Sequence, residues 1–171
     1  MKNLVIAGNP GTGKTTLILE ATLPFREIIG GFYTEEIHKS NQLWGFRIKS
    51  FDGQEGIFSH KGMESKIKLN KYGVDIEILE TIAVSSMEEA LHSKEIIVID
   101  EIGAMECLSE KFSQVLIKCL NSPKRILAAI RRNSQPFTDQ MKIFPQTRII
   151  ELTNDSFLDC KKKLRQWLEE K

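Results

Sequence analysis

The segment Gly8-Asn9-Pro10-Gly11-Thr12-Gly13-Lys14-Thr15 constrains this chain more than any other. It matches G-x-x-x-x-G-K-[ST] in full, and its context fits as well as its letters. Leu4–Ala7 is a short apolar run that predicts a buried parallel strand. Lys14–Leu23 predicts a helix that stops before Pro24. A glycine-rich loop between a strand and a helix points its backbone N–H groups, and the positive end of the helix, at an anion. Lys14 adds a charge suited to the β- and γ-phosphates, and the Thr15 hydroxyl is a ligand suited to Mg²⁺. Gly8, Asn9, Pro10, Gly11, Thr12, Gly13, Lys14, Thr15 and Thr16 are therefore the expected triphosphate-binding residues. Such a loop confines the chain to an α/β fold whose strands run mostly parallel.

A second element decides what the loop is used for. Ile96-Ile97-Val98-Ile99 leads into Asp100-Glu101. An apolar strand of this kind delivers an acid to its C-terminal end, where ligands bind in open α/β sheets. Asp100 is expected to hold Mg²⁺ with Thr15, and Glu101 to polarise the water that attacks the γ-phosphate. The alternative for Glu101 is a surface acid in a salt bridge. A small-molecule kinase has less use for a water-activating acid, so the pair favours hydrolysis. In the hydrolytic branch an extra strand lies between the loop strand and the acid strand, and Arg125–Ile130 is the candidate. Arg131 and Arg132 follow it, and either is a candidate for stabilising the transferring phosphoryl group.

The remaining pattern alternates strands and helices, except in one stretch. Phe32–Ile37, Leu43–Ser50 and Glu55–His60 predict an antiparallel meander over about residues 31–60, with Asp52-Gly53 as a turn. In Leu43–Ser50, Trp44, Phe46 and Ile48 alternate with Gly45, Arg47 and Lys49. Lys61–Lys71 reads as a loop. Ser86-x-x-Glu89 has the form of a capping box opening a helix through Leu91. Further helices are expected around Phe112–Leu120 and Asp155–Glu169, and a strand over Thr147–Leu152. The expected fold is a three-layer sheet structure with one antiparallel insert, in a single domain over residues 1–171.

Composition sets the outer limits. The 171 residues include 24 basic and 23 acidic side chains, for a net charge of +1. That near balance argues against a dedicated nucleic-acid binder, although a local patch is compatible with it. Cys107, Cys119 and Cys160 form no C-x-x-C pair, so neither a disulfide framework nor a zinc site is expected, and a reducing cytoplasm is the expected location. The N-terminal apolar run is too short for a signal peptide, and no membrane span is expected. The base-reading pattern Asn-Lys-x-Asp fails at Asn70-Lys71-Tyr72-Gly73, so nothing enforces one base.

The sequence resembles the small P-loop nucleoside-triphosphatases of thermophilic bacteria and archaea, a family with a cancer-related human member. The matching stretches are GNPGTGKTTL, GGFYTEEI with the later Gly45-Phe46, KYGVD at Lys71–Asp75, and VIDEIGAMECLS at Val98–Ser109. The resemblance implies a RecA/AAA-like core with an antiparallel β insert. It also implies slow, Mg²⁺-dependent hydrolysis of several nucleoside triphosphates, ATP and GTP among them, to diphosphate and phosphate. Ile102 and Gly103 would then border the nucleotide beside Asp100 and Glu101. The chain departs from the family at Ala104, Cys107 and Leu43, and at Phe157, where an arginine is usual. The rival enzyme is a P-loop kinase acting on a nucleotide, a nucleoside or an RNA end.

Overall fold

In a computed structural model of the chain, which describes residues 1–133 and 135–170, the three apolar runs become the middle strands of the parallel half of one sheet. These strands are β1 (Asn3–Gly8), β7 (Ile96–Ile102) and β8 (Arg125–Arg131). Each is buried along almost its whole length, as unbroken runs of Ile, Leu and Val require when both faces are covered. The strands between β1 and β7 are β2 (Ile29–Lys39), β3 (Gln42–Ser50), β4 (Glu55–His60), β5 (Lys68–Leu69) and β6 (Tyr72–Val74), and β9 (Thr147–Leu152) comes last. The sheet has nine strands in the order β5-β6-β4-β3-β2-β7-β8-β1-β9.

This order corrects the expectation of a mostly parallel sheet. The pairs β2·β7, β7·β8, β8·β1 and β1·β9 are parallel. The pairs β2·β3, β3·β4, β4·β6 and β5·β6 are antiparallel, so the sheet divides evenly. The antiparallel half also reaches Val74 rather than ending at His60. β5 forms inside the stretch expected as a loop, Lys61–Lys71, and β6 directly after it, because β6 adds to β4 at Ser59 and His60 and β5 pairs with β6. β8 does lie between β1 and β7, as the extra-strand reading required.

Alternate residues of the central strands feed two cores. Leu4, Ile6, Val98, Leu127 and Ala129 pack under α1 (Lys14–Thr22) and α6 (Phe157–Glu169), which contribute Leu17, Ile18, Leu164 and Trp167. Val5, Ala7, Ile97, Ile99, Ala128 and Ile130 face α3 (Ser85–Ser93), α4 (Glu110–Asn121) and α5 (Pro136–Ile143). Helices thus cover both faces. A short α2 (Ile76–Leu79) runs through a widened turn at Glu80–Val84 directly into α3. The helix start is therefore Asp75, whose side chain accepts from the Ile78 N–H. Ser86 sits inside the helix and bonds back to the Ala83 carbonyl, so its expected capping role is not observed.

The joint between the two halves of the sheet depends on Gly31. Its φ is +102°, and a Cβ there would run into the Val98 carbonyl oxygen of the neighbouring strand. Gly31→Ala is expected to destabilise the fold by at least about 3 kcal/mol, seen as a fall in Tm of roughly 10 °C in thermal unfolding.

Candidate active site

The phosphate loop folds as a cradle. The Thr12 backbone N–H and hydroxyl both turn back to the Asn9 carbonyl, at 3.3 and 2.8 Å. Gly13, with φ +88°, lets the chain turn into α1. That helix has no side-chain cap and no acidic residue in its first turn, so its positive end is left for an anion. Lys14 is only 8% exposed. Its ammonium bends over the loop and donates to the carbonyls of Gly8 (3.0 Å) and Asn9 (3.3 Å). Asn9 and Pro10 are exposed at the rim, and Phe157 packs against Gly13 from the start of α6.

β7 brings its acids to the same place. Asp100 is 1% exposed, and its Oδ2 has no hydrogen-bond partner. Burial pushes this carboxyl up to about 7, against the pull of the Thr15 hydroxyl; Glu101 raises it further and Lys14 lowers it. Glu101, joined to Asp100 by a cis peptide bond, lies 3.7 Å from the Lys14 ammonium and 3.4 Å from Arg131 Nε. Arg131 and Arg132 part company. Arg131 turns into the site, while Arg132 pairs with Glu151 at 3.5 Å.

These groups line an open cavity of ≈460 Å³. Pro10, Gly11, Gly13, Lys14, Thr15 and Thr16 form one wall, and Asp100, Glu101, Gly103, Ala104 and Arg131 another. Gly8, which has no side chain, is buried beneath the loop, and the Ile102 side chain is fully buried in the core, so neither residue lines the cavity. Sequence reasoning missed the third wall. β2 runs past the end of β7 and carries Thr34, Glu35 and Glu36 to the cavity. Phe46, Phe58 and Leu69 follow from the antiparallel strands, and Met105 and Glu106 from the turn after β7. The only sequence signal for Glu106 was its place in the stretch Val98–Ser109. Its carboxyl is buried and pushed up to about 8, first by desolvation and then by the charge of Glu101. Among the described residues no group of three or more His, Cys, Asp or Glu is arranged to hold a metal. A cation here would thus rely on Thr15 and Asp100 together with ligand oxygens and water, the arrangement Mg²⁺ favours. The orphaned, buried Asp100 Oδ2 fits that role.

Comparison with known proteins agrees with this geometry. A family model described as NTPase matches residues 3–164. The chain is 42% identical over 149 residues to the nucleoside-triphosphatase THEP1 of Thermotoga petrophila, covering 87% of this chain and 83% of that protein. It is 40% identical to the THEP1 of Methanocaldococcus jannaschii, covering 84% and 87%. Among solved structures, THEP1 from Aquifex aeolicus superposes with a TM-score of 0.90 at 31% identity, over 98% of this chain and 99% of that one. A human cancer-related nucleoside triphosphatase gives a TM-score of 0.83 at 25% identity, over 99% and 98%. A cleft shaped for phosphates and a match spanning almost the whole chain lead to one statement: the chain belongs to the NTPase family.

Proposed function

We propose that the chain is a nucleoside-triphosphate phosphohydrolase that cleaves the γ-phosphate with water. The observation that carries this reading is the position of Glu101. It stands between Lys14 of the phosphate loop and Arg131 of the inserted strand, beside a buried aspartate with a free oxygen. A bound triphosphate would take the Lys14 ammonium from the Gly8 and Asn9 carbonyls, and the loop N–H groups of residue 9 and residues 11–16 would donate to its oxygens. Thr15 and Asp100 would hold Mg²⁺, which supplies charge neutralisation at the β- and γ-phosphates. Released from Lys14, Glu101 orients the attacking water and accepts its proton. Arg131 is placed to offset charge on the transferring group. Ile102 and Gly103 border the nucleotide through backbone, since the Ile102 side chain points into the core.

The position of β8 between β1 and β7 supports a RecA/AAA-like core, and the continuous sheet supports one domain over residues 1–171, although Ser134 and Lys171 lie outside the described residues. Broad base use follows from an apolar, aromatic wall without a base-reading motif. Slow turnover fits a glutamate held by two cations. Three free thiols, Cys107, Cys119 and Cys160, support a reducing cytoplasm. Among the described residues no helix is long and apolar enough to cross a membrane. Phosphate release from ATP, GTP, CTP and UTP is expected at comparable rates with Mg²⁺ and is expected to stop on chelation. An acceptor phosphorylated faster than phosphate appears would overturn the reading in favour of a kinase.

A further inference from the structure

Across one end of the antiparallel half, aromatic rings and cations alternate. Lys39 closes β2, Trp44 stands near the start of β3, His60 closes β4 and Tyr72 opens β6. The registers Lys39↔Gln42, Gly45↔His60 and His60↔Gly73 set them side by side on four neighbouring strands. At about 4.8 Å per strand spacing, the row is roughly 15 Å long. Its members touch in sequence. The Lys39 ammonium lies 3.4 Å from the centre of the Trp44 ring. That ring stacks on His60, with centroids 4.3 Å apart and planes 13° apart. His60 therefore backs one face of Trp44 and Lys39 covers the other. The Lys61 backbone N–H donates to the Trp44 carbonyl at 3.0 Å. The ammoniums of Lys61 and Lys71 each stand 6.0 Å from the centre of the Tyr72 ring. Tyr72 meets Phe46 edge-on at 5.5 Å, and Phe46 lines the cavity.

Two features separate this row from an ordinary charged surface. First, its cations are not neutralised. Glu35 and Glu55 go to Lys49 and Glu36 goes to His38, and among the described residues Lys39, Lys61 and Lys71 make no ion pair. Desolvation and the facing Lys71 ammonium pull Lys61 below the usual lysine range. Two like charges are thus held side by side, and an anion placed against both relieves their repulsion. Second, Trp44, His60 and Tyr72 are only half-buried, so ring faces remain within reach of a partner. Flat aromatic surfaces interleaved with unpaired cations match a partner that is itself flat, aromatic and anionic at each repeat.

We propose that this row docks a single-stranded nucleic acid, with bases stacked on Trp44 and Tyr72 and phosphates held by Lys39, Lys61 and Lys71. An incoming base takes the place of Lys39 on Trp44, and the freed ammonium turns to the phosphate. A duplex hides its base faces and does not fit. A second copy of this chain would bring the same lysines against these. The local patch is compatible with the near-neutral whole, because seven basic residues but only one acid, Glu64, lie in residues 38–49 and 60–72. The inference is independent of how the cavity hydrolyses its substrate.

The test is titration of a labelled oligothymidylate by fluorescence anisotropy at several salt concentrations. Wild type is expected to bind in the micromolar range at low salt and to lose affinity as salt rises. Trp44→Ala is expected to weaken binding by about tenfold or more, whereas Trp44→Phe, which keeps a ring, stays within about threefold of wild type. Replacing Lys61 and Lys71 together by Ala is expected to lower the salt slope by about 1.4, for two phosphates on a single strand. Replacing Lys162 and Lys163 by Ala removes the same charge from exposed positions on α6 and is expected to change nothing. Of the two tryptophans Trp167 is fully buried, so quenching of tryptophan emission by the oligonucleotide reports Trp44, and it is expected to vanish in Trp44→Phe. Tm and phosphate release from ATP show that each variant is folded, since none of these side chains lines the cavity. No binding by wild type, full affinity in Trp44→Ala, equal loss in the α6 variant, absence of quenching, or equal affinity for a duplex would each overturn the proposal. So would a wild-type dimer that Trp44→Ala dissolves, which would assign the row to a second copy.

Discussion

Glu101→Gln is expected to lower kcat by roughly three orders of magnitude while nucleotide affinity holds or rises. The substitution preserves size and removes only the charge and the ability to take a proton from water. It also frees Lys14 and Arg131, which Glu101 holds at 3.7 and 3.4 Å. Both cations would then be available to the phosphates, and one negative charge near the γ-phosphate would be gone. Phosphate release measures the first effect, and titration with a fluorescent, non-hydrolysable triphosphate measures the second. If affinity and kcat fell together, Glu101 would be a structural ion-pair partner and not the group that activates water.

Lys14→Ala is expected to damage both binding and turnover. Lys14 is the buried cation of the loop, and its ammonium spans Gly8, Asn9 and Glu101. A charge-assisted hydrogen bond of this kind contributes about 1.5–3 kcal/mol, so affinity should weaken by about one to two orders of magnitude. The same group meets charge that develops at the β–γ bridge, and its loss should lower kcat by a further two to three orders, about the effect of removing an oxyanion donor. The contrast between the two variants is diagnostic. Glu101→Gln makes a tight binder that does not turn over, whereas Lys14→Ala makes a poor binder as well.

Much of this site was legible because its chemistry is local in sequence. Gly8–Thr15 announces itself by spacing, and Ile96–Glu101 by four apolar residues before two acids. The placement of β8, and with it Arg131, followed from pairing those two elements. What separated Arg131 from Arg132 was the end of the strand: Arg131 is the last residue of β8 and reaches Glu101, whereas Arg132 lies in the bend beyond it and pairs with Glu151 on β9. The extent of the antiparallel half was not legible, because Lys68–Leu69 and Tyr72–Val74 are too short to show alternation and form only against β4. Ser86 misled for a related reason: its local pattern suits a cap, but the helix had already begun at Asp75. Glu106 sits in a single turn with no periodicity, and only tertiary burial marks it. Likewise nothing in the sequence marks Phe46 and Phe58 for the site, where they pack against each other and also line the cavity.

The most direct test of the central claim is hydrolysis of ATP in oxygen-18 water with Mg²⁺, followed by mass analysis of both products. Water attack on the γ-phosphorus predicts one heavy oxygen in the released phosphate and none in the diphosphate, with the labelled product lost in Glu101→Gln. Label in the diphosphate, or labelled phosphate formed equally fast by Glu101→Gln, would contradict it.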